Sequence, residues 1–497
     1  MKKMYFALLT LSTLTIALLL ALSCLARAQT TKKFEARQLR EDFQIARQSL
    51  EEGHNGLYRY AKKAELDRTF DEAEKSLDRP MDIYEFYRVM APTIAAIKCG
   101  HTNVTMPPDV REESERLPWL PFDVKVLEYK AYIFRDYANG GTLAGKEIRS
   151  INGVPAAQII STMLAAESGD GDIQTSRQRG ISGDFGLNLI TLLGFRAPYE
   201  VALAGSGSSK SEKVQVAGLK HEDLTKMSKM LFPQDQSSKD FADLKFLDNG
   251  QVAYMRYSSF GTTVDEGQAF MKRAFVAIQS KGSRALILDV RGNGGGEDEL
   301  GKLLFSYLVD TPFEYYDDLI VNKWSFSFFP KYTDDHNDFT IPKGEAELRG
   351  DGRVHALNHP NLGLQQPSKP TFTGPIYILI NGGSFSTTAE FLSQAHSHQR
   401  ATFIGEESAG DYYGNTSGTV VKLTLPNTKL GIYLPLVGYY VAVSGNHDAA
   451  RGVIPDFPVQ HTIADLVAGV DRDFELALEL ARGSAPDCLS GSRKKED

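Results

Sequence analysis

Two serines and two threonines crowd the turn NGGSFSTTAEF, which runs from Asn381 to Phe391 directly behind the apolar stretch Ile376–Ile380. A short buried strand, a sharp turn through Gly382 and Gly383, and a helix from about Thr387 expose one side chain, Ser386, at the carboxyl end of a sheet. Open α/β sheets place their ligands there. The helix start adds unpaired N–H groups and a positive dipole end, which suit a developing oxyanion. Serine is equally at home as a helix cap, so local chemistry leaves nucleophile and cap level. A second loop, Arg291-Gly292-Asn293-Gly294-Gly295-Gly296, also follows an apolar stretch, Ala285–Val290. Its glycines let backbone N–H groups approach an oxyanion or a phosphate closely. Glu297 stands where a dinucleotide fingerprint needs its third glycine, and no Lys-Ser/Thr follows, so neither that fingerprint nor a P-loop applies. Among ten histidines, His101 is the best base. His396 and His398 are two apart on a helix and point to different faces, and no His-Glu-x-x-His or Cys-x-x-Cys pattern exists. No metal and no cofactor are expected.

The elements that must position these residues fall into three blocks. From Phe34 to Met90 the pattern is helical, with Leu39, Phe43, Ala46 and Leu50 at the three- to four-residue spacing of one apolar stripe. Residues 117–219 read as a small β-rich module, with alternation in Phe122–Val126 and an Asn-Gly turn at Asn152-Gly153. The core begins near Asn249, where strands 252–257, 284–290, 376–380 and 401–404 alternate with helices, as parallel-sheet crossover units require. The expected organisation is a leader at 1–28, a helical N-terminal region carrying His101 at 29–112, and the β-rich module at 113–225. A core at 240–475 with an insertion at 311–370, then a tail at 476–497, complete it. The aromatic cluster Trp324, Phe326, Phe328 and Phe329 in the insertion reads as a hairpin packed on the core, with a lid or a dimer surface as rivals.

With 497 residues, 42% hydrophobic and 24% charged, the composition is that of a folded protein of two to four domains at roughly 150 residues each. A net charge of −8 argues against a general nucleic-acid or anionic-membrane binder. Lys2 and Lys3 precede the apolar stretch 4–22, and Ala26-Arg27-Ala28 offers a cleavage site, the pattern of a secretory signal peptide. A lipidated Cys24 fits that stretch less well. No later stretch is long and apolar enough for a membrane helix, so the expectation is a periplasmic or secreted protein. Cys99 and Cys488 would then be the remaining cysteines, bridged or free.

Three motifs in chain order, IKCGHT at Ile97–Thr102, LILDVRGNGGG at Leu286–Gly296 and GGSFSTTAEF…RATFIGEESAG at Gly382–Gly410, resemble the C-terminal processing (tail-specific) serine peptidases. The closer resemblance is to their tricorn-like and interphotoreceptor-retinoid-binding-protein-like branch. The resemblance implies an α/β fold, a ClpP/crotonase-like βαβ core with a helical N-terminal region and a PDZ-like module. It implies Ser386 as nucleophile, His101 as base from 285 positions upstream, and an oxyanion hole from Thr387 with Gly294 and Gly295. The lysine of a Ser–Lys dyad is missing, because its place reads Ala409-Gly410-Asp411-Tyr412. The branch's late glutamate falls on Ala449, leaving Asp448 as the acid by a one-residue shift, with Glu390 and Glu406 as other orienting acids. Gly410, Asp411 and Tyr412 are the expected substrate edge. The implied activity is hydrolysis of peptides or unstructured protein segments through an acyl-enzyme, with no cofactor, no nucleic acid and an open oligomeric state. Two rivals stand beside it: a non-catalytic ligand-binding protein on the same fold, and an esterase or other acyl hydrolase.

Overall fold

The computed structural model describes residues 32–205, 212–232, 240–333, 339–342 and 344–483. The leader, Cys24, Cys488 and most of the polar stretch 205–211 lie outside them. Cys99 is a buried free thiol.

A six-stranded sheet forms the centre, in the spatial order Ala242–Leu247, Val252–Tyr257, Ala285–Asp289, Ile376–Ile380, Thr402–Gly405, Phe457–Pro458. The first pair is antiparallel and every later pair parallel. Ala285–Asp289 is buried at all five positions, which explains why it reads as an unbroken apolar run rather than an alternating one. Helices Val264–Lys281, Asp298–Ser306 and Thr387–Ser397 connect these strands, and Phe275, Leu300, Leu304 and Phe391 meet Met255, Leu288 and Ile378 in one core. Strands 285–289 and 376–380 are neighbours in register, Leu286 opposite Ile376. The glycine loop and the serine turn therefore leave the same end of the sheet side by side.

A second sheet runs Ala346–Leu348, Val354–Ala356, Tyr316–Val321, Gly431–Val441, Gly414–Thr424. The insertion supplies three of these strands. Phe326, Phe328 and Phe329 are buried, so this part of the insertion packs as core, while Trp324 stays exposed. The N-terminal helix Ala36–Gly53 lays its stripe of Leu39, Phe43, Ala46 and Leu50 against Leu423, Ile432 and Leu434 of this sheet. Asp42, on the same face, accepts hydrogen bonds from Asn427 N (3.0 Å), Thr428 N (2.8 Å) and Thr428 Oγ1 (2.6 Å), closing the turn of the long hairpin. The helical region thus shares its hydrophobic core with strands more than 220 residues away. Strand Val104–Thr105, just past His101, pairs with Gly431-Ile432 and fixes that end of the segment.

The β-rich module holds an antiparallel sheet in the order Glu212–Val216, Tyr199–Leu203, Glu147–Ile151, Lys130–Asp136, Phe122–Leu127. Asn152 and Gly153 turn with φ of 50° and 78°, linking Ile151 to Val154 as the Asn-Gly signal requires. Helix Gln174–Gly183 lies along the edge strand Phe122–Leu127. Ser182 Oγ accepts from Val126 N (2.9 Å) and Gln178 Oε1 from Tyr129 N (3.4 Å), so side chains of the helix occupy part of that edge.

Candidate active site

Ser386 sits between the strand end and helix Thr387–Ser397 with φ 58° and ψ −129°, a conformation non-glycine residues rarely adopt. Its side chain makes no capping bond; its carbonyl accepts from Glu390 N (3.1 Å) instead. The capping alternative therefore does not hold. The neighbouring serine carries the structural load: Ser384 is fully buried, donates to Val290 O (2.9 Å) and accepts from Asn381 N (3.2 Å). Asn381 Oδ1 accepts from Gly292 N and Gly383 N, both at 2.9 Å, tying the serine turn to the glycine loop.

The strained turn aims Ser386 Oγ at His101, whose Nε2 lies 3.1 Å away. His101 follows helix Ile83–Ala95 through a tight turn and stacks on Phe385, ring centroids 4.4 Å apart and planes 24° apart. Gly100 makes that approach feasible, because a Cβ there would lie 2.6 Å from Phe385 Cζ. Burial lowers the imidazole to about 4, so it is neutral near pH 7 and able to accept a proton. Its other nitrogen, Nδ1, is buried and has no hydrogen-bond partner among the described residues.

Around the serine, the first-turn N–H of Thr387 makes no hydrogen bond among the described residues, and Thr387 Oγ1 donates to Gly296 O (2.7 Å). Gly295 packs directly on Ser386, but its N–H is held by Asn293 Oδ1 at 3.0 Å, while Asn293 Nδ2 donates to Tyr257 O. Gly294 is exposed, with open space where a Cβ would stand. Of the two glycines, Gly294 has the freer N–H, and Gly295 gives shape.

The remaining expected site residues are placed less favourably. Glu390 is buried one turn after Ser386, where Tyr316 OH (2.5 Å) and Asn415 Nδ2 (2.8 Å) donate to it, and burial raises it to about 7. Neither it nor Glu406, which burial also raises, bonds to His101. Asp448 is exposed and makes no hydrogen bond to His101. Asp411 is buried and accepts from Arg59 Nε (3.1 Å) and Tyr60 OH (2.8 Å). Tyr412 is buried and stacked on His447 at 3.9 Å. Of that trio only Gly410 lies beside the nucleophile, 3.8 Å from Ser386 N at its Cβ position.

Asp170, which no sequence pattern singles out, also reaches the His101 loop. It is buried in the loop of the β-rich module, and its Oδ1 accepts from Gly100 N at 2.7 Å. Burial raises it to about 6, opposed by that N–H. The only signal for it is the acidic, glycine-rich string ESGDGD at 167–172, which reads as an ordinary solvated loop.

Beside Asn381 opens a cleft of about 800 Å³, lined among others by Lys125, Thr175, Arg179, Glu406 and Arg451. It runs between the edge strand and helix of the module and the carboxyl ends of the central strands. Arg451 is bound by Glu407, with contacts of 2.7 and 2.8 Å.

Residues 251–459 match Peptidase family S41. The carboxy-terminal-processing protease of Bartonella bacilliformis is 25% identical over 232 residues, 46% of this chain and 43% of that protein. The match thus spans less than half the length of that curated relative. The structure of mature CPAF complexed with lactacystin superposes with a TM-score of 0.61 at 16% identity, over 90% of this chain and 98% of that one. A CPAF mutant gives 0.60 at 14% identity, over 91% and 99%. At such identities the likeness speaks for the fold, and it takes in nearly the whole chain. Residues 251–459, which carry the glycine loop and Ser386, are thus similar to peptidase family S41, and nearly the whole chain shares the α/β fold of the two solved structures.

Proposed function

We propose that this protein is an exported serine endopeptidase that cuts peptides or unstructured protein segments through an acyl-enzyme on Ser386. The observation that carries the reading is the 3.1 Å approach of a neutral imidazole, His101 Nε2, to a serine Oγ held on a strained strand-to-helix turn. Ser386 Oγ attacks the scissile carbonyl while His101 Nε2 takes its proton, then returns it to the leaving amine. Water enters by the reverse path, with His101 again as base. The N–H groups of Thr387 and Gly294 hold the tetrahedral oxyanion, a contact of a kind commonly worth about 10²–10³-fold in rate. The cleft beside Asn381, which neither Ser386 nor His101 lines, is large enough to hold a length of peptide leading to the nucleophile. Export rests on the leader pattern at 1–28, and N-terminal sequencing of the mature protein tests it.

Fluorophosphonate labelling with parallel peptide hydrolysis tests the chemistry. Wild type is expected to label rapidly, with Ser386→Ala silent and His101→Ala slowed about 10³-fold or more. A wild type that labels no faster than Ser386→Ala refutes the enzyme reading and leaves a binding protein.

A further inference from the structure

Two buried polar atoms next to the Ser386–His101 pair have no hydrogen-bond partner: His101 Nδ1 and Asp170 Oδ2. A ring nitrogen of His101, a carboxylate oxygen of Asp170 and Cys99 Sγ all lie within 4.8 Å of one another. A neutral imidazole whose Nε2 accepts the serine proton must carry its own proton on Nδ1. That N–H wants an acceptor, and Asp170 Oδ2 is a buried acceptor that makes no hydrogen bond among the described residues, with the Asp411 backbone the other group that favours its charged form. Unpaired buried groups are uncommon in folded proteins, so a complementary pair at a reacting centre calls for an explanation.

The backbone shows that the two are held together deliberately. The loop 168–171 is bonded to the His101 loop residue by residue: Gly171 N donates to Lys98 O (3.0 Å), Gly100 N to Asp170 Oδ1 (2.7 Å), and Ser168 Oγ to Thr102 O (2.7 Å). Arg177 clamps the loop from behind, its Nη2 reaching Gly169 O (3.1 Å) and Gly171 O (3.0 Å). The neighbours do not compete for the role. Cys99 is a protonated thiol, pushed up to about 12 by burial, and donates to Thr416 O (3.5 Å). His54 Nε2 is engaged with Thr102 Oγ1 (2.8 Å), and Arg59 and Tyr60 are bound to Asp411. The segment that carries Asp448 packs on the same loop, where Asp172 N donates to Ala450 O (2.9 Å), but the Asp448 side chain itself is exposed.

We infer that Asp170, supplied by the β-rich module, is the positioning acid of the site: it accepts the Nδ1–H of His101, fixes the tautomer, and faces the imidazolium that forms when Ser386 is deprotonated. The inference rests on the assignment of Ser386 and His101 as nucleophile and base. No proton passes to Asp170; it stays on His101 Nδ1 throughout, and only the serine proton moves, to Nε2 and on to the leaving group.

The test is Asp170→Asn in the full chain, an isostere that keeps an acceptor for Gly100 N–H but removes the charge. The expected result is a fall in kcat of about 10²–10⁴-fold with KM within about threefold. The rising limb of the kcat pH profile moves as well, and Asp170→Glu restores part of the rate. Asp448→Asn is the competing arm. A comparable loss there, with Asp170→Asn within about threefold of wild type, overturns the inference and gives the acid to Asp448. Should Asp170→Asn not fold, the wild type itself decides by a low-field imidazole N–H proton resonance that vanishes in His101→Ala. Its absence from the wild type also overturns the inference. If wild type labels no faster than Ser386→Ala, the underlying reading has failed, an outcome distinct from an active Asp170→Asn.

Discussion

Replacing Gly295 with alanine probes whether the glycine loop shapes the nucleophile, because the new methyl has nowhere to go. Its Cβ would stand 2.7 Å from Ser386 Cβ, 2.9 Å from Phe385 O and 3.0 Å from Thr387 N. These are atoms of a rigid turn, not the ends of flexible side chains. Restoring an ordinary carbon contact of roughly 3.5 Å requires a shift of about 0.8 Å in one loop or the other. Gly295 also has φ of 99°, where a non-glycine residue adds about 1–3 kcal/mol of strain. Displacement of that size at a reacting atom costs about 10²-fold in rate. Fluorophosphonate labelling and peptide hydrolysis should therefore both fall by about two orders of magnitude, with the melting temperature lower by a few degrees. Gly282→Ala separates the two effects. Gly282 caps helix Val264–Lys281 at φ 67° with nothing within 4 Å of its Cβ position, so it carries the backbone penalty without touching the site. Its labelling rate should match wild type despite a similar loss of stability. A Gly295→Ala enzyme that labels within threefold of wild type refutes the steric argument.

Two further outcomes follow from charge. Burial raises Glu390 to about 7, so the folded state holds a proton there that the unfolded state has released above its ordinary value near 4.5. Its stabilising contribution is therefore complete below about pH 4.5 and lost as pH rises through 7, a difference of about 3 kcal/mol. Glu390→Gln should match wild type in urea denaturation at pH 4.5 and exceed it at pH 8; a difference that is constant with pH refutes the assignment. In the cleft, Arg179 lies against Gly292 and Gly383 with no ion pair within 4.0 Å among the described residues, its charge felt by Glu406, and Lys125 lines the same cleft. Arg179→Glu should cut kcat/KM for acidic peptides by about tenfold, equivalent to about 1.4 kcal/mol, and leave the labelling rate of the small probe unchanged. Equal losses for acidic and neutral peptides would place Arg179 in folding rather than recognition.

Much of the scaffold is legible in the residues because it is local. Ala285–Asp289 and Ile376–Ile380 announce themselves as buried strands, the glycines after them as sharp turns, and Leu39, Phe43, Ala46 and Leu50 as one helical face. What that face packs against is not local. Leu423, Ile432 and Leu434 lie some 380 residues on, and Asp42, which looks like a solvated charge, is consumed in closing their hairpin. The same limit governs the site. A Ser–His pair 285 positions apart is visible only through a resemblance, and no spacing rule foretells that Asn293 holds the Gly295 N–H and leaves Gly294 the freer donor.

The acidic residues show why. Looking near the serine, or near a motif, selects Glu390, Glu406 and Asp448, which are bonded elsewhere or exposed. The carboxylate found within 4.8 Å of His101 comes from a loop between two helices of a different sheet's module, and nothing in ESGDGD separates it from a surface turn. Its partner sits in a segment anchored by the N-terminal helices, and the serine in the central core. Residues that belong to three different hydrophobic clusters must therefore come together before the proposed Ser386–His101–Asp170 arrangement exists. The bonds nearest the imidazole are specific: Lys98, Gly100 and Thr102 on one side, Ser168, Asp170, Gly171 and Asp172 on the other. A change in how the module sits would reach the imidazole through those bonds before it reached Ser386. On the proposed arrangement the module acts on the base directly, through Asp170.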